Sequence, residues 1–437
     1  MSGENGAGSE LGVFVVWPDA AGHHERILRH LQTLFDVRRV YEIRWTQELV
    51  AENHARFMGG SYAFPALTYA PPPIRESPIL LVTLVDNAPH QETHRTARGL
   101  ERVNANFIHA VREFRSWTGP GTTVYGSLSP TRAERDLALL LGTDPKEHLY
   151  ENPQTWAGSI ESIHRDLSGA HGWSSPTELF HALNHTVRYI VMRNFEELPH
   201  CLHVGAHEDV DILTADYREM LAVMNAYPNV RCIPRWGGPF WVRIADEDVW
   251  FDVRYVGDNY YDPRWAQEMV ERRVRQPGGF YSPNEEDYFE SLAYHAIVHK
   301  REFSDDYKQR LASMARARGL SGWDVIALED PAHRRTLLAG ILERRQVKFC
   351  RPRDVNVFYN FEATGHQFPQ LRRKLAGVFR KGVRLAYRLG HPLSVHYREA
   401  HVRLRQKAPW LAAALRRARA SMEAMWAGLE SHPEINE

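Results

Sequence analysis

Apolar and polar positions along the first 145 residues follow two alternating periods. Residues 11–17 (LGVFVVW) and 79–85 (ILLVTLV) are apolar runs of strand length, and residues 37–45 give a third strand. Between the first and third of these, Ile27, Leu28, Leu31 and Leu34 recur at helical spacing and predict a helix over 20–35. Further helices are predicted over 46–58 with Thr46 as N-cap, over 98–117, and over 131–141 behind a capping box from Thr131 to Glu134. Pro71-Pro72-Pro73 marks a loop, and Gly119-Pro120-Gly121 a turn before a short strand at 122–125. Strands alternating with helices predict an open, largely parallel α/β sheet over 11–150, after a polar tail at 1–10. Ligands of such sheets sit beyond the carboxyl ends of the strands, here near Asp19, Trp45 and Asp86-Asn87. No G-x-G-x-x-G follows the first strand, so a dinucleotide site has no support. Arg112 and Arg115, ahead of the Gly-rich turn, read as a solvated helix face or as ligand-facing cations.

The pattern changes after residue 150. A polar connection with a helix near 159–167 leads to a helix capped by Ser175, with Pro176 at its first position. The apolar run 189–192 then predicts a buried strand ending at Arg193-Asn194. A second apolar stretch runs into Asp209-Val210-Asp211-Ile212-Leu213. Side chains two apart on a strand share a face, which puts the two carboxylates about 7 Å apart on one side. A helix over 216–226 follows, then a turn at 235–239. Residues 249–256 alternate, with Phe251, Val253 and Tyr255 on one side and Asp252 and Arg254 on the other. Set beside the first strand, Asp252 makes a third carboxylate, and three such groups form a cradle for Mg²⁺ or Mn²⁺. The plainer alternative is a strand end with solvated acids. Residues 278–282 (GGFYS) are read as ending a helix. A helix over 288–301 turns Phe289, Leu292, Ala293 and Ala296 inward. His295 and His299 share a face with Lys300 beside them, either directed at phosphate or paired with the helix dipole. His200, Cys201, His203 and His207 offer a zinc alternative, without the usual paired spacing.

Composition bounds this picture. A chain of 437 residues, 43% hydrophobic and 25% charged, has room for two or three soluble domains. Cys201, Cys232 and Cys350 are scattered, which argues against a disulfide framework. The start lacks a signal-peptide pattern and no apolar run is long enough to span a bilayer, so a cytoplasmic location is expected. The net charge of zero conceals a segment, 372–419, with fourteen Lys and Arg residues and one acid, Glu399. Interleaved apolar positions make it a basic amphipathic helical tail, suited to an anionic membrane surface, to nucleic acid or to docking on the acidic body. It lacks the regular aromatic interleaving of single-strand stacking platforms.

Acid-x-acid on one strand with a third acid on a neighbour resembles the polymerase-β-type nucleotidyltransferase superfamily. VMRNFEELP (191–199) and YHAIVHKREFSDDYKQRL (294–311) resemble its bacterial polysaccharide-associated members, fukutin-like and phosphocholine-transferring enzymes among them. The resemblance covers residues 180 to 315. Residues 11–145 are similar to an accessory domain of some polysaccharide-associated proteins. The Gly-Gly or Gly-Ser usual ahead of the acids is missing, and Arg193-Asn194 stands there. The resemblance implies an α/β accessory domain at 11–150, an α+β nucleotidyltransferase-fold domain at 151–345 and a basic helical region at 346–437. It implies a metal-dependent transferase moving a nucleotidyl or phospho-alcohol group from a nucleotide-activated donor to a glycan or lipid-linked glycan acceptor. Asp209, Asp211 and Asp252 would hold the metal, with Asp252 as base, and Arg193, Asn194 and Lys300 would contact phosphates. It favours an anionic inner-membrane face over nucleic acid as the tail's partner. An inactive nucleotide- or glycan-binding scaffold and a nucleic-acid-binding protein are the alternatives.

Overall fold

The computed structural model describes residues 8–60, 78–96, 99–119, 123–144, 155–200, 202, 209–228, 237–354 and 356–366. By contact the chain divides into two compact units, Met1–Pro228 with Cys232–Gln367, and Asn229–Arg231 with Phe368–Glu437; every described residue belongs to the first. The basic segment 372–419, the prolines at 71–73, residues 235 and 236 of the turn at 235–239, and Cys201, His203 and His207 lie outside the described residues. Among the described residues no helix is long and apolar enough to cross a membrane. The architecture is mixed α/β.

The first sheet contains β1 (Glu10–Val16), β2 (Asp36–Arg44), β3 (Ile79–Asp86), β6 (Val124–Gly126) and β7 (Glu161–His164), in the order β6-β1-β3-β2-β7. It is not the largely parallel sheet expected. β1 pairs antiparallel with both β3 and β6, β2 pairs antiparallel with β3, and only β2–β7 is parallel. The crossover β1–α1 (His24–Leu34)–β2 leaves a one-strand gap, and β3 enters it from the opposite direction, giving a split β-α-β arrangement. All eight positions of β3 are buried, which fits a central strand of either direction. Burial is legible from an apolar run; strand direction is not.

Four local expectations change for identifiable reasons. Residues 99–104 are not helical but form β5 (Gly99–Asn104), the return arm of a hairpin with β4 (Gln91–Thr96). Helix α3 (Ala105–Thr118) starts only where the Asn104 side chain accepts the Asn106 N–H. Thr46 does not cap α2 (Val50–Phe57), because its N–H and hydroxyl donate to Asp166, at 2.9 and 2.6 Å. Ser129, not Thr131, caps α4 (Pro130–Leu140). A helix near 159–167 is replaced by β7, which adds to the edge of β2.

The second sheet runs β10 (Tyr227–Pro228), β11 (Gly238–Ile244), β12 (Glu247–Tyr255), β9 (Asp209–Thr214), β8 (Tyr189–Val191). Its central strands are covered on both faces. Tyr189, Val191, Val210, Ile212, Phe251 and Val253 share one continuous core with Val13, Val15 and Leu81 of the first sheet. Helices α5 (Pro176–Asn184, capped by Ser175 as expected) and α6 (Tyr217–Val223) contribute to that core. Ile190, Met192 and Leu213 point the other way, into a second core with α7 (Pro263–Glu271), α8 (Glu285–Tyr294), α9 (Asp305–Ala317) and α10 (Pro331–Arg345). Residues 278–282 do not end a helix; they lead into the short strand β14 (Tyr281–Ser282), paired with β13 (Val274–Arg275). Helix α8 passes into a single π-helical segment, His295–His299, and Phe289, Leu292, Ala293 and Ala296 are buried as expected.

Trp173 lies in the core that the two sheets share. Its backbone bridges to β11, donating to Arg243 O at 2.8 Å and accepting from Ala245, and its indole donates to Met224 O. Gly169 lies so close to the Trp173 ring that an added Cβ would come within 2.4 Å of it, at a φ of +69° that already favours glycine. Arg56 of α2 makes a second tie, donating to the carbonyls of Ala222 and Val223 at the end of α6 and to that of Ser168.

Candidate metal centre

The odd-numbered residues of β9 face the helical layer, and this decides where the acids go. Asp209 and Asp211 precede Leu213 on that face, while Val210 and Ile212 anchor the strand in the opposite core. β12 runs parallel to β9, and Asp252 is the direct register partner of Asp211. Phe251 and Val253 hold β12 in the core and turn Asp252 and Arg254 toward the helices. One carboxylate oxygen from each of Asp209, Asp211 and Asp252 lies within 4.8 Å of the other two. Adjacent strands sit about 4.8 Å apart, so this convergence is what an in-register pair of acids on parallel neighbours produces.

The charges around this point are dense and buried. The Asp211 carboxyl is pushed up to about 7, first by burial and then by Asp209 and Asp252, although Arg193 and Lys300 pull the other way. Arg193, which follows β8, donates to Asp211, and both are buried. Lys300 follows the π-helical segment and acts on Asp211 through its charge. Arg254 lies between acids as well. It donates through Nη2 to Asp252 Oδ2 at 3.0 Å and through Nη1 to Asp354 Oδ2 at 3.1 Å. Asp258, also close to Arg254, is pushed up to about 7 by burial, and Asp354 is raised for the same reason.

The donor set fits a hard cation. All three converging groups are carboxylates, the ligands that Mg²⁺ and Mn²⁺ prefer. Asp252 Oδ1 is buried with no aligned hydrogen-bond donor, although Arg254 Nη2 is only 2.9 Å away. That nitrogen is aligned as a donor to Oδ2, at 3.0 Å, so it lies against both oxygens of Asp252.

The other candidates separate. Asn194 sits beside Arg193 in the left-handed region (φ +54°), but its side-chain oxygen accepts from Arg310 Nη1 at 2.9 Å. The other amino group of Arg310 reaches the Tyr288 hydroxyl, which in turn donates to Glu196. His299 lies between the carbonyls of Phe358 and Tyr260 and is pushed down to about 3 by burial, so it serves the backbone rather than a phosphate. His295 is enclosed by the hydroxyls of Tyr260 (2.6 Å) and Tyr307 (3.1 Å), with its pKa well below the ordinary value through burial. Among the described residues, no His or Cys joins a metal-capable cluster.

No protein-family model, curated protein or solved structure matches the chain. The case for a function therefore rests on these side chains.

Four participants were not singled out as site residues from sequence: Arg310, Asp258, Asp354 and Arg254. Only Arg254 carried a signal, the strand alternation that puts it on the same side as Asp252.

Proposed function

We propose that the chain is a metal-dependent transferase that moves a nucleotidyl or phospho-alcohol group from a nucleotide-activated donor to a hydroxyl acceptor of glycan type. The observation that supports this reading is the convergence of Asp209, Asp211 and Asp252 across a parallel strand pair. Mg²⁺ or Mn²⁺ held there supplies charge neutralisation for a donor phosphate. Arg193 is placed to exchange Asp211 for a donor phosphate oxygen, and Lys300 adds positive charge from the helical side. Asp252 takes the proton of the acceptor hydroxyl as its oxygen bonds to phosphorus and the bond to the leaving phosphate breaks. Burial of Asp211 and Arg193 strengthens the interactions those two make, because little water competes for their charges. The basic segment 372–419 is proposed to bring the enzyme to an anionic membrane face where a lipid-linked acceptor resides.

Calorimetric titration with Mn²⁺ tests the reading, comparing the wild type with Asp211→Asn and Asp252→Asn. The wild type is expected to bind one Mn²⁺ and each variant to lose at least tenfold in affinity. Equal binding by all three proteins would remove the metal centre. One observation favours a second reading. Arg193 already neutralises Asp211, which suits a scaffold whose internal guanidinium takes the place of a cation. That reading expects no Mn²⁺ binding by the wild type and a less stable protein on Arg193→Met.

A further inference from the structure

Away from the metal centre the structure holds a cavity of about 830 Å³. It lies at the opposite end of the β8–β9 pair from the acids. Its wall includes residues 184–188, which lead into β8, and 215–219, which follow β9. Four residues along the chain separate Asp211 from Ala215, about 13 Å at strand spacing. The first turn of α4 and Arg273, beyond α7, also contribute to the wall. The volume falls within the roughly 300–1,000 Å³ usual for small-molecule sites and far exceeds a single phosphate ion.

Three guanidinium groups in this wall keep donors to spare. Arg188 gives its backbone N–H, Nε and Nη2 to Asp216 at 3.0, 3.2 and 3.4 Å, and its Nη1 has no partner among the described residues. Arg132 comes only within 3.7 Å of Glu101, an ion pair longer than a hydrogen bond. Arg273 forms no ion pair among the described residues; it lies over the Tyr281 ring at 4.6 Å and donates through Nη1 to the Val270 carbonyl at 3.2 Å. A guanidinium has five N–H donors and no acceptor, so an anion is what these groups lack. They come from three separate segments. One carboxylate is filled by a single two-pronged arginine, whereas a phosphate ester offers oxygens to several. The positive end of α4 adds to the attraction. Glu101 and Glu219 line the same cavity. They disfavour a second acidic group on a ligand and can accept hydrogen bonds from hydroxyls.

We propose that this cavity is a second ligand site, separate from the metal centre, that takes a sugar monophosphate, with Arg132, Arg188 and Arg273 on the phosphate and the carboxylates of the wall on the sugar hydroxyls. The site does not depend on the metal centre, so either can fail alone.

The test is calorimetric titration of the full-length protein, without divalent cation, with glucose 6-phosphate, glucose and inorganic phosphate. Thermal unfolding is measured on the same samples. Glucose 6-phosphate is expected to bind more tightly than inorganic phosphate, and glucose not to bind. Arg273→Gln is expected to weaken glucose 6-phosphate binding about tenfold, the equivalent of one charge-assisted hydrogen bond. Lys300→Met, at the metal centre, is expected to change it less than twofold. A folded Arg273→Gln that binds as the wild type does would overturn the proposal; should that variant fail to fold, Arg132→Gln decides in the same way. Failure of the wild type to bind glucose 6-phosphate, or equal affinity for inorganic phosphate, would overturn it too. Loss of binding in Lys300→Met with Arg273→Gln unchanged would place the anion at the metal centre and leave the cavity without a role.

Discussion

At the scale of single residues, burial governs which groups carry charge. His54 is buried edge-on against Trp17, with ring centroids 4.7 Å apart, and burial pushes its pKa down to about 4. In an unfolded chain the imidazole titrates near 6.5. The lowered folded value means that the neutral ring stabilises the protein above pH 6.5 and that this stability is lost as pH falls toward 4. His54→Phe removes this dependence. Measured by denaturant unfolding at a series of pH values, the variant is expected to gain on the wild type below pH 6.5, by about 2–3 kcal/mol at pH 4. A difference that stays constant with pH would contradict the assignment. Asp211 differs from His54 in that its raised value comes partly from neighbouring acids, which a bound cation would offset.

At the scale of elements, the site depends on two strands in register and on one turn. Arg310 of α9 ties the turn after β8 to α8 through Asn194 and the Tyr288 hydroxyl. Replacing it with Gln removes a charged donor from both, so Arg193 is expected to lose its fixed position. Nucleotide affinity should fall about tenfold, the equivalent of one charge-assisted hydrogen bond, while Mn²⁺ affinity stays within twofold. Parallel titrations with nucleotide and with Mn²⁺ alone separate the two effects. Much of this level was legible beforehand. Alternation placed Asp209 with Asp211 and Asp252 with Arg254, because each strand has one face pinned by Val210 and Ile212 or by Phe251 and Val253. The pairing of β9 with β12 was read from the need to bring the acids together. The direction of β3 and the β4–β5 hairpin were not legible. A fully apolar run pairs equally well in either sense, and Gln91–Thr96 with Gly99–Asn104 carries little apolar signal. Arg310 and Asp354 were missed for another reason: contacts between side chains 116 and 100 residues apart leave no periodicity to read.

At the scale of the whole described unit, the two sheets share one core, so they are not independent modules. Trp173 is buried at the junction and bonded to β11 and to the end of α6. Trp173→Ala leaves a large cavity there and is expected to cost about 3–5 kcal/mol. Calorimetry should show both sheets unfolding in one transition in the wild type and in the variant; a split transition in the wild type would show that the shared core does not couple them. The bridge from Arg254 to Asp354 has a different kind of consequence, one of timing. A ribosome adds roughly 5–20 residues per second. The 102 residues that separate Asp252 from Asp354 then take about 5–20 s to appear. Through that interval a nascent chain has its three acids and Arg254 but not Asp354, so one arm of a guanidinium that is buried in the finished protein stays without its carboxylate until synthesis has passed that residue.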